Sequence, residues 1–154
     1  MTIEKRLAEL GIELEVSSKP TMGNYVPAVE AHGLVFCAGA SCTIGGVIQY
    51  KGVIGTDLTV EQGYHAARLA AISALAKIKY AAGDLNRIER FVKVVCHMRT
   101  TADFEDHAAI TNGASDLFME VFGEAGAHAR LSLGSATLPV NLPLEIEVIV
   151  SLKK

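Results

Sequence analysis

Ala129-Arg130-Leu131-Ser132-Leu133-Gly134-Ser135-Ala136-Thr137-Leu138-Pro139-Val140-Asn141-Leu142-Pro143-Leu144-Glu145-Ile146-Glu147-Val148-Ile149-Val150-Ser151 is the stretch on which the fold turns. In its second half Leu144, Ile146, Val148 and Val150 alternate with Glu145, Glu147, Ile149 and Ser151. A period of two describes a strand with one apolar face. Ala129 to Thr137 reads as a second strand, and Leu138 to Pro143, with two prolines, as the connection between them. The face carrying Glu145, Glu147 and Ile149 is half polar and suits contact with water or with another subunit.

Upstream, the pattern changes from two to three and four. Thr59-Val60-Glu61-Gln62 has the form of a capping box, and Tyr64, Ala67, Ala71, Leu75 and Ile78 follow at helical steps until Gly83. Arg68, Lys77 and Lys79 fall elsewhere on that wheel. Ala66, Ala67, Ala70, Ala71 and Ala74 make the helix slim enough to lie close to a sheet. Asp103 to Phe122 is the second main helix, with Ile110, Ala114, Leu117, Phe118 and Val121 on one side. Asn112-Gly113 within it implies that the firm helix begins only there, and Gly123 and Gly126 close it. Between the helices, Ile88 to Met98 is apolar on both faces apart from Lys93 and His97, as in a central strand.

Nearer the N-terminus, Thr2 to Leu10 reads as a short helix and Glu13 to Tyr25, with Pro20 and Gly23, as an extended arm. Leu34 to Ala38 is a strand, Ser41 to Gly46 a turn, and Val47 to Lys51 a return strand. The order predicts an α+β domain: a mixed β-sheet with two main helices packed on one face. Residues 1–22 form a helix and arm, and 23–154 the body of one domain.

The composition narrows the function classes. The chain has 154 residues, half of them hydrophobic, which suffices for one buried core. Its 17 acidic residues outnumber 14 basic ones, for a net charge of −3, so no nucleic-acid partner is expected. Three cysteines, Cys37, Cys42 and Cys96, form neither a disulfide framework nor a CxxC pair; buried or half-buried thiols in a reducing compartment fit better. The charged N-terminus lacks an apolar leader core, and the uncharged run Gly33 to Tyr50 is broken by glycines. No membrane segment is therefore expected, and a cytoplasmic location is. No Walker loop, GxGxxG, nucleophile elbow or metal-ligand spacing of the five histidines occurs. Neither a cofactor nor a metal is expected.

Arg130 is the only charged residue between Ala125 and Leu144, and Glu145 follows at once. An arginine in an apolar strand requires an acceptor. An internal Arg130–Glu145 salt bridge is the simplest answer. A symmetric hairpin about Leu138 to Pro143, however, sets Glu145 opposite Ala136 and Arg130 near Ser151, some 20 Å apart. The two could still meet across a subunit interface, where the guanidinium offers a bidentate carboxylate site. His128, two residues before Arg130, is the histidine nearest this chemistry.

The run Ala129 to Pro139 followed by Leu144 to Ile149 resembles the C-terminal signature of the RidA/YjgF family, whose members are also described as endoribonuclease L-PSP. Gly23 to Ala28 resembles that family's N-terminal tyrosine segment, Leu34 to Ala40 its strand–SGQ segment, and Asp103-Phe104, Asn112 and Phe122-Gly123-Glu124 its second-helix region. The longer N-terminus places the chain with a longer subgroup. The resemblance implies a chorismate-mutase-like fold, a homotrimer and clefts between subunits. It also implies hydrolysis of reactive 2-imino or enamine acids to 2-keto acids and ammonia, without a cofactor. Arg130 would anchor the carboxylate of a small 2-imino or 2-keto acid, and Glu145 would position water. Tyr25, Gly39, Asn112, Ser132 and Pro139 would line the cleft. The family's SGQ serine and glutamine are here Ala38 and Ala40, and Leu131 replaces a small residue. These changes remove polar contacts from the cleft and add bulk beside the anchor. They leave a non-catalytic carboxylate-binding or regulatory trimer as the alternative, ahead of a ribonuclease or translation inhibitor.

Overall fold

A computed structural model describes residues 1–18 and 22–154. Pro20, assigned above to the arm, lies outside the described residues; the rest of the arm between α1 and β1 forms no helix or strand. Among the described residues three α-helices pack with one five-stranded sheet, a mixed α+β domain as expected, and no helix there is long and apolar enough to cross a membrane.

Helix α1 (Ile3–Glu9) starts where Thr2 Oγ1 accepts the Lys5 N–H. Its first N–H donates to Asn86 Oδ1 at 3.0 Å and Arg6 Nε to the Glu120 carbonyl at 2.9 Å, so it is tied to the far end of the second main helix. Strands β1 (Ala28–Ala31) and β2 (Leu34–Cys37) form a hairpin. Its loop is His32-Gly33, with φ of 52° and 75°, the two positive angles that match strand twist in a two-residue turn. The sequence reading missed β1, because Ala-Val-Glu-Ala is too short and too weakly patterned to register as a strand. The expected turn and return strand are a small separate hairpin, β3 (Thr43–Ile44) and β4 (Val47–Ile48), turning on Gly45-Gly46.

Helix α2 (Val60–Ala82) carries the expected capping box: Thr59 Oγ1 accepts the Gln62 N–H at 3.1 Å, and Gln62 Oε1 accepts the Thr59 N–H at 2.9 Å. Its alanine stripe is fully buried. Helix α3 (His107–Phe122) begins one and a half turns earlier than Asn112-Gly113 implied. The glycine is there for packing, since a Cβ at Gly113 would collide with the Tyr64 carbonyl of α2. A residue that weakens an isolated helix is here the condition for two helices to touch.

Strands β5 (Ile88–Met98), β6 (Ala129–Gly134) and β7 (Leu144–Leu152) complete the sheet in the order β1-β2-β7-β5-β6. This corrects the hairpin read from the sequence. β6 runs parallel to β5, and β7 lies on the other edge of β5, antiparallel to it and to β2. The reason is the crossover: β5–α3–β6 is a strand–helix–strand unit, which makes its two strands parallel neighbours. The connection Pro139–Asn141 then carries the chain past the end of β5, held where Arg99 N–H meets the Pro143 carbonyl at 2.8 Å. Leu144, Ile146, Val148 and Val150 face the helices and are buried. The opposite face stays open and presents Val29, Phe36 and Leu131, 50%, 43% and 51% exposed, beside Ile149 and Glu147.

The three cysteines are free and buried, as read from the sequence. Burial pushes the Cys37 thiol up to about 12 and that of Cys96 up to about 11.

Gly113→Ala separates propensity from packing. In an exposed helix the change adds about 1 kcal/mol of stability. Here we expect a loss of roughly 1–3 kcal/mol, read as a lower urea midpoint at unchanged slope.

Candidate functional site

The bend after β2 builds the first part of the site. Phe36 pairs with Ile149 and Ala40 with Ile146, so four steps on one strand oppose three on the other. This is a β-bulge over Cys37-Ala38-Gly39. The extra residue turns Ala40 into the core, where it is 1% exposed. Gly39 lies at the bend. A Cβ there would meet Glu145 Oε1 at 3.3 Å, and its carbonyl accepts a hydrogen bond from Lys77 Nζ. Tyr25, Gly39, Ser41, Lys77 and Glu145 front one cavity of about 650 Å³. Gly23, at φ 105°, lets the chain fold back so that the Tyr25 ring lies against it.

Lys77 is the residue of this cavity that sequence reasoning missed. It projects from α2 between buried Ala74, Ala76 and Ile78. Burial pushes its pKa down, and the Cys37 and Glu145 sides pull it back up. The only signal in the sequence is a lysine next to an alanine-rich buried stripe, which equally describes a solvated flank.

The second cluster lies between β6 and α3. Arg130 Nη1 donates to Asn112 Oδ1 at 2.7 Å and to Ser115 Oγ at 3.1 Å, and Nη2 to the Ala108 carbonyl at 3.5 Å. All three acceptors are neutral. Among the described residues no carboxylate forms an ion pair with Arg130. Ser132 Oγ donates to Thr111 Oγ1 at 2.8 Å beside it. His128 extends the chain of bonds: Nδ1 lies 2.6 Å from the Gly126 carbonyl and Nε2 lies 2.9 Å from Ser115 Oγ. A carbonyl can only accept, so Nδ1 carries the proton. Nε2 then accepts from Ser115, whose lone pairs face Arg130. Burial first, and then the Arg130 charge, push the His128 pKa down, against the pull of the Gly126 carbonyl. Ser115 has no signal in the sequence at all.

The two clusters are separate within one chain. Val94 pairs with both Arg130 and Val148, and His97 with both Leu133 and Glu145. Arg130 and Glu145 are therefore two strands and three residues apart, roughly 14 Å between Cα atoms, and project from opposite faces. β6 and β7 do not form the expected hairpin; the intervening strand β5 keeps the two residues apart. Of the sequence-derived set, Tyr25, Gly39 and Glu145 share the cavity, and Asn112, Ser132 and Arg130 share the second cluster. Pro139 joins neither directly; it opens the turn whose Val140 and Leu142 wall the cavity. Two expected departures also change meaning. Ala40 sits in the core instead of the cleft, and Leu131 points to the open face, away from the Arg130 side chain.

Residues 4–151 match the family described as "YjgF/chorismate_mutase-like, putative endoribonuclease". The protein TCP17 of Trypanosoma cruzi is 34% identical over 158 residues, which take in 97% of this chain and 94% of that protein. The crystal structure of Atu1372 from Agrobacterium tumefaciens superposes with a TM-score of 0.90 at 37% identity, covering 99% of this chain and 94% of that one. Escherichia coli TdcF with bound serine superposes with a TM-score of 0.62 at 25% identity, covering 92% and 98%.

The His128 geometry has a pH signature. A histidine whose folded pKa is depressed contributes stability above its unfolded value, near 6.5, and that contribution is lost as pH falls toward the folded value. Urea unfolding between pH 7.5 and 5 should show wild-type stability falling with acid, and His128→Gln should flatten the slope.

Proposed function

The chain belongs to the YjgF/chorismate-mutase-like family, and on that premise we propose that it hydrolyses reactive 2-imino (enamine) acids to 2-keto acids and ammonia. The observation that carries this reading is Arg130: a half-buried guanidinium held in place by three neutral acceptors, its charge left for a ligand. Holding a carboxylate is the task such a group performs best, because the planar fork matches two carboxylate oxygens. The bound serine of TdcF is itself a small carboxylate.

Glu145 supplies the second element. A protonated imine is already electrophilic, so the reaction requires an oriented water and a base more than a strong nucleophile. Glu145 accepts a proton as water oxygen bonds to the imine carbon. The resulting carbinolamine takes that proton on nitrogen, Glu145 accepts the hydroxyl proton as the C–N bond breaks and the C=O forms, and the released ammonia carries that proton away as ammonium. Tyr25 and the Gly39 segment wall the space in which this occurs. Asn112 and Ser115 keep the guanidinium oriented.

Arg130 and Glu145 cannot touch one small substrate within one chain, so the reading includes a homotrimer in which Arg130 of one copy completes the cavity of the next. The open sheet face, with Val29, Phe36 and Leu131 exposed and Ile149 half-buried among them, is the surface that association would cover. Leu131 then serves assembly and does not crowd the anchor.

The test is to generate 2-aminoacrylate in situ with an amino-acid dehydratase and follow its loss. We expect acceleration by wild type, a drop of roughly 100-fold or more in Arg130→Ala and one of about 10²–10⁴-fold in Glu145→Gln. Sedimentation should give a trimer. Tight binding of 2-keto acids with no acceleration of any imine replaces the enzyme with a carboxylate-binding protein, and a fully active monomer removes the shared site.

A further inference from the structure

We propose that Lys77 receives a second anionic group of the ligand, so that the site prefers imino acids with a side-chain carboxylate. The inference rests on the deaminase reading above and names its substrate class.

Three observations meet at this residue. The first is a partly buried ammonium group with no ion pair, its charge met only at longer range by Glu145. Lys77 leaves α2 between buried neighbours, and its one hydrogen bond among the described residues goes to the neutral Gly39 carbonyl. No carboxylate among the described residues lies within ion-pair distance of it. An ammonium has three N–H donors, and two remain. Partial burial of a cation without an anionic partner is unfavourable, and an incoming anion relieves it.

The second observation is the way the nitrogen is held. The bulge at Cys37-Ala38-Gly39 adds one residue to β2, and the Gly39 carbonyl that results is the group that fixes Nζ at the wall of the cavity. The same glycine lies against Glu145, the proposed base. Lys77 thus fronts the reacting end of the cavity in its own chain, whereas the α-carboxylate anchor, Arg130, comes from another copy. Two cations on two different walls suit a ligand with two anionic ends.

The third is room and the remaining charge. About 650 Å³ lies within the roughly 300–1,000 Å³ that accommodates sizeable ligands, well beyond the smallest imino acid. The acids that share the cavity are Glu13, Glu15 and Glu145. Glu15 Oε2 is turned to the Gly45 N–H at 2.8 Å, Glu145 is assigned to water, and none of the three forms an ion pair with Lys77. Lys51 adds a second cation to the lining.

The experiment compares two imines of similar length made in situ by amino-acid oxidases: 2-iminoglutarate and the imine of methionine. Wild type should favour the dicarboxylate in kcat/KM. Lys77→Met should lower kcat/KM for 2-iminoglutarate at least 10-fold more than for the methionine imine, chiefly through KM, and Lys77→Arg should restore most of the preference. Equal losses on both imines would mean that Lys77 only braces the bulge, and an unchanged ratio would mean that it does not meet the ligand; either overturns the proposal. Hydrolysis of 2-aminoacrylate but of neither longer imine also overturns the proposal; if wild type accelerates none of the three, the deaminase reading falls and calorimetry decides Lys77. Binding of 2-oxoglutarate weakened at least 10-fold by Lys77→Met, with 2-oxo-4-methylthiobutyrate much less affected, supports the second anion site. Equal affinities of both keto acids for wild type and variant reject it.

Discussion

Strand β7 is the constraint from which the rest of the molecule is laid out. It is the one strand that pairs on one edge with β2 and on the other with β5, and its helix-facing side chains Leu144, Ile146, Val148 and Val150 are all buried. A slip of one residue would put Glu145 and Glu147 into the core, so the register is strongly specified. With that register set, Glu145 can project only from the other face. The bulge in β2, the position of Gly39 and the mouth of the cavity are all defined against it. On its far side, β5 and the crossover helix α3 push β6 to the sheet edge and carry Arg130 with it. The separation of Arg130 from Glu145 is thus a consequence of strand order, not of side-chain placement.

The two cations that matter are held in the same way. Arg130 meets Asn112, Ser115 and the Ala108 carbonyl; Lys77 meets the Gly39 carbonyl. Hydrogen bonds to neutral acceptors fix direction without cancelling charge. Ion pairs occur elsewhere, between side chains at least a quarter exposed such as Arg68–Glu120 and Arg87–Glu30, where pairs contribute little. Among the described residues neither Arg130 nor Lys77 forms an ion pair. His128 belongs to the same arrangement. Neutral, with its proton directed at Gly126, it accepts from Ser115 and leaves the Ser115 lone pairs to Arg130.

Helix packing shows how far local signals reach. The Thr59–Gln62 capping box and the alanine run of α2 were legible because capping and helical periodicity depend on residues a few positions apart. Gly113 misled for the opposite reason. Its local meaning is helix weakness, whereas its actual role depends on Tyr64, 49 positions away. Strand β1 was invisible for want of pattern, and Lys77 looked like a solvated flank until Gly39 was found opposite it. Ser115 is an ordinary serine on a helix until Arg130 and His128 converge on it.

By itself the sequence determined the classes: an α+β domain, the identity and extent of α2 and β7, the buried thiols, and Arg130 and Glu145 as the two charges beside an apolar run. These follow from periodicity, capping and the cost of burying charge, all of which act along the chain. Strand order, the bulge that turns Ala40 inward and Gly39 toward Lys77, and the division of the site residues into two clusters were decided only by the tertiary structure. They depend on which edges of β5 and β7 are already occupied when the crossover closes, and no window of neighbouring residues carries that information.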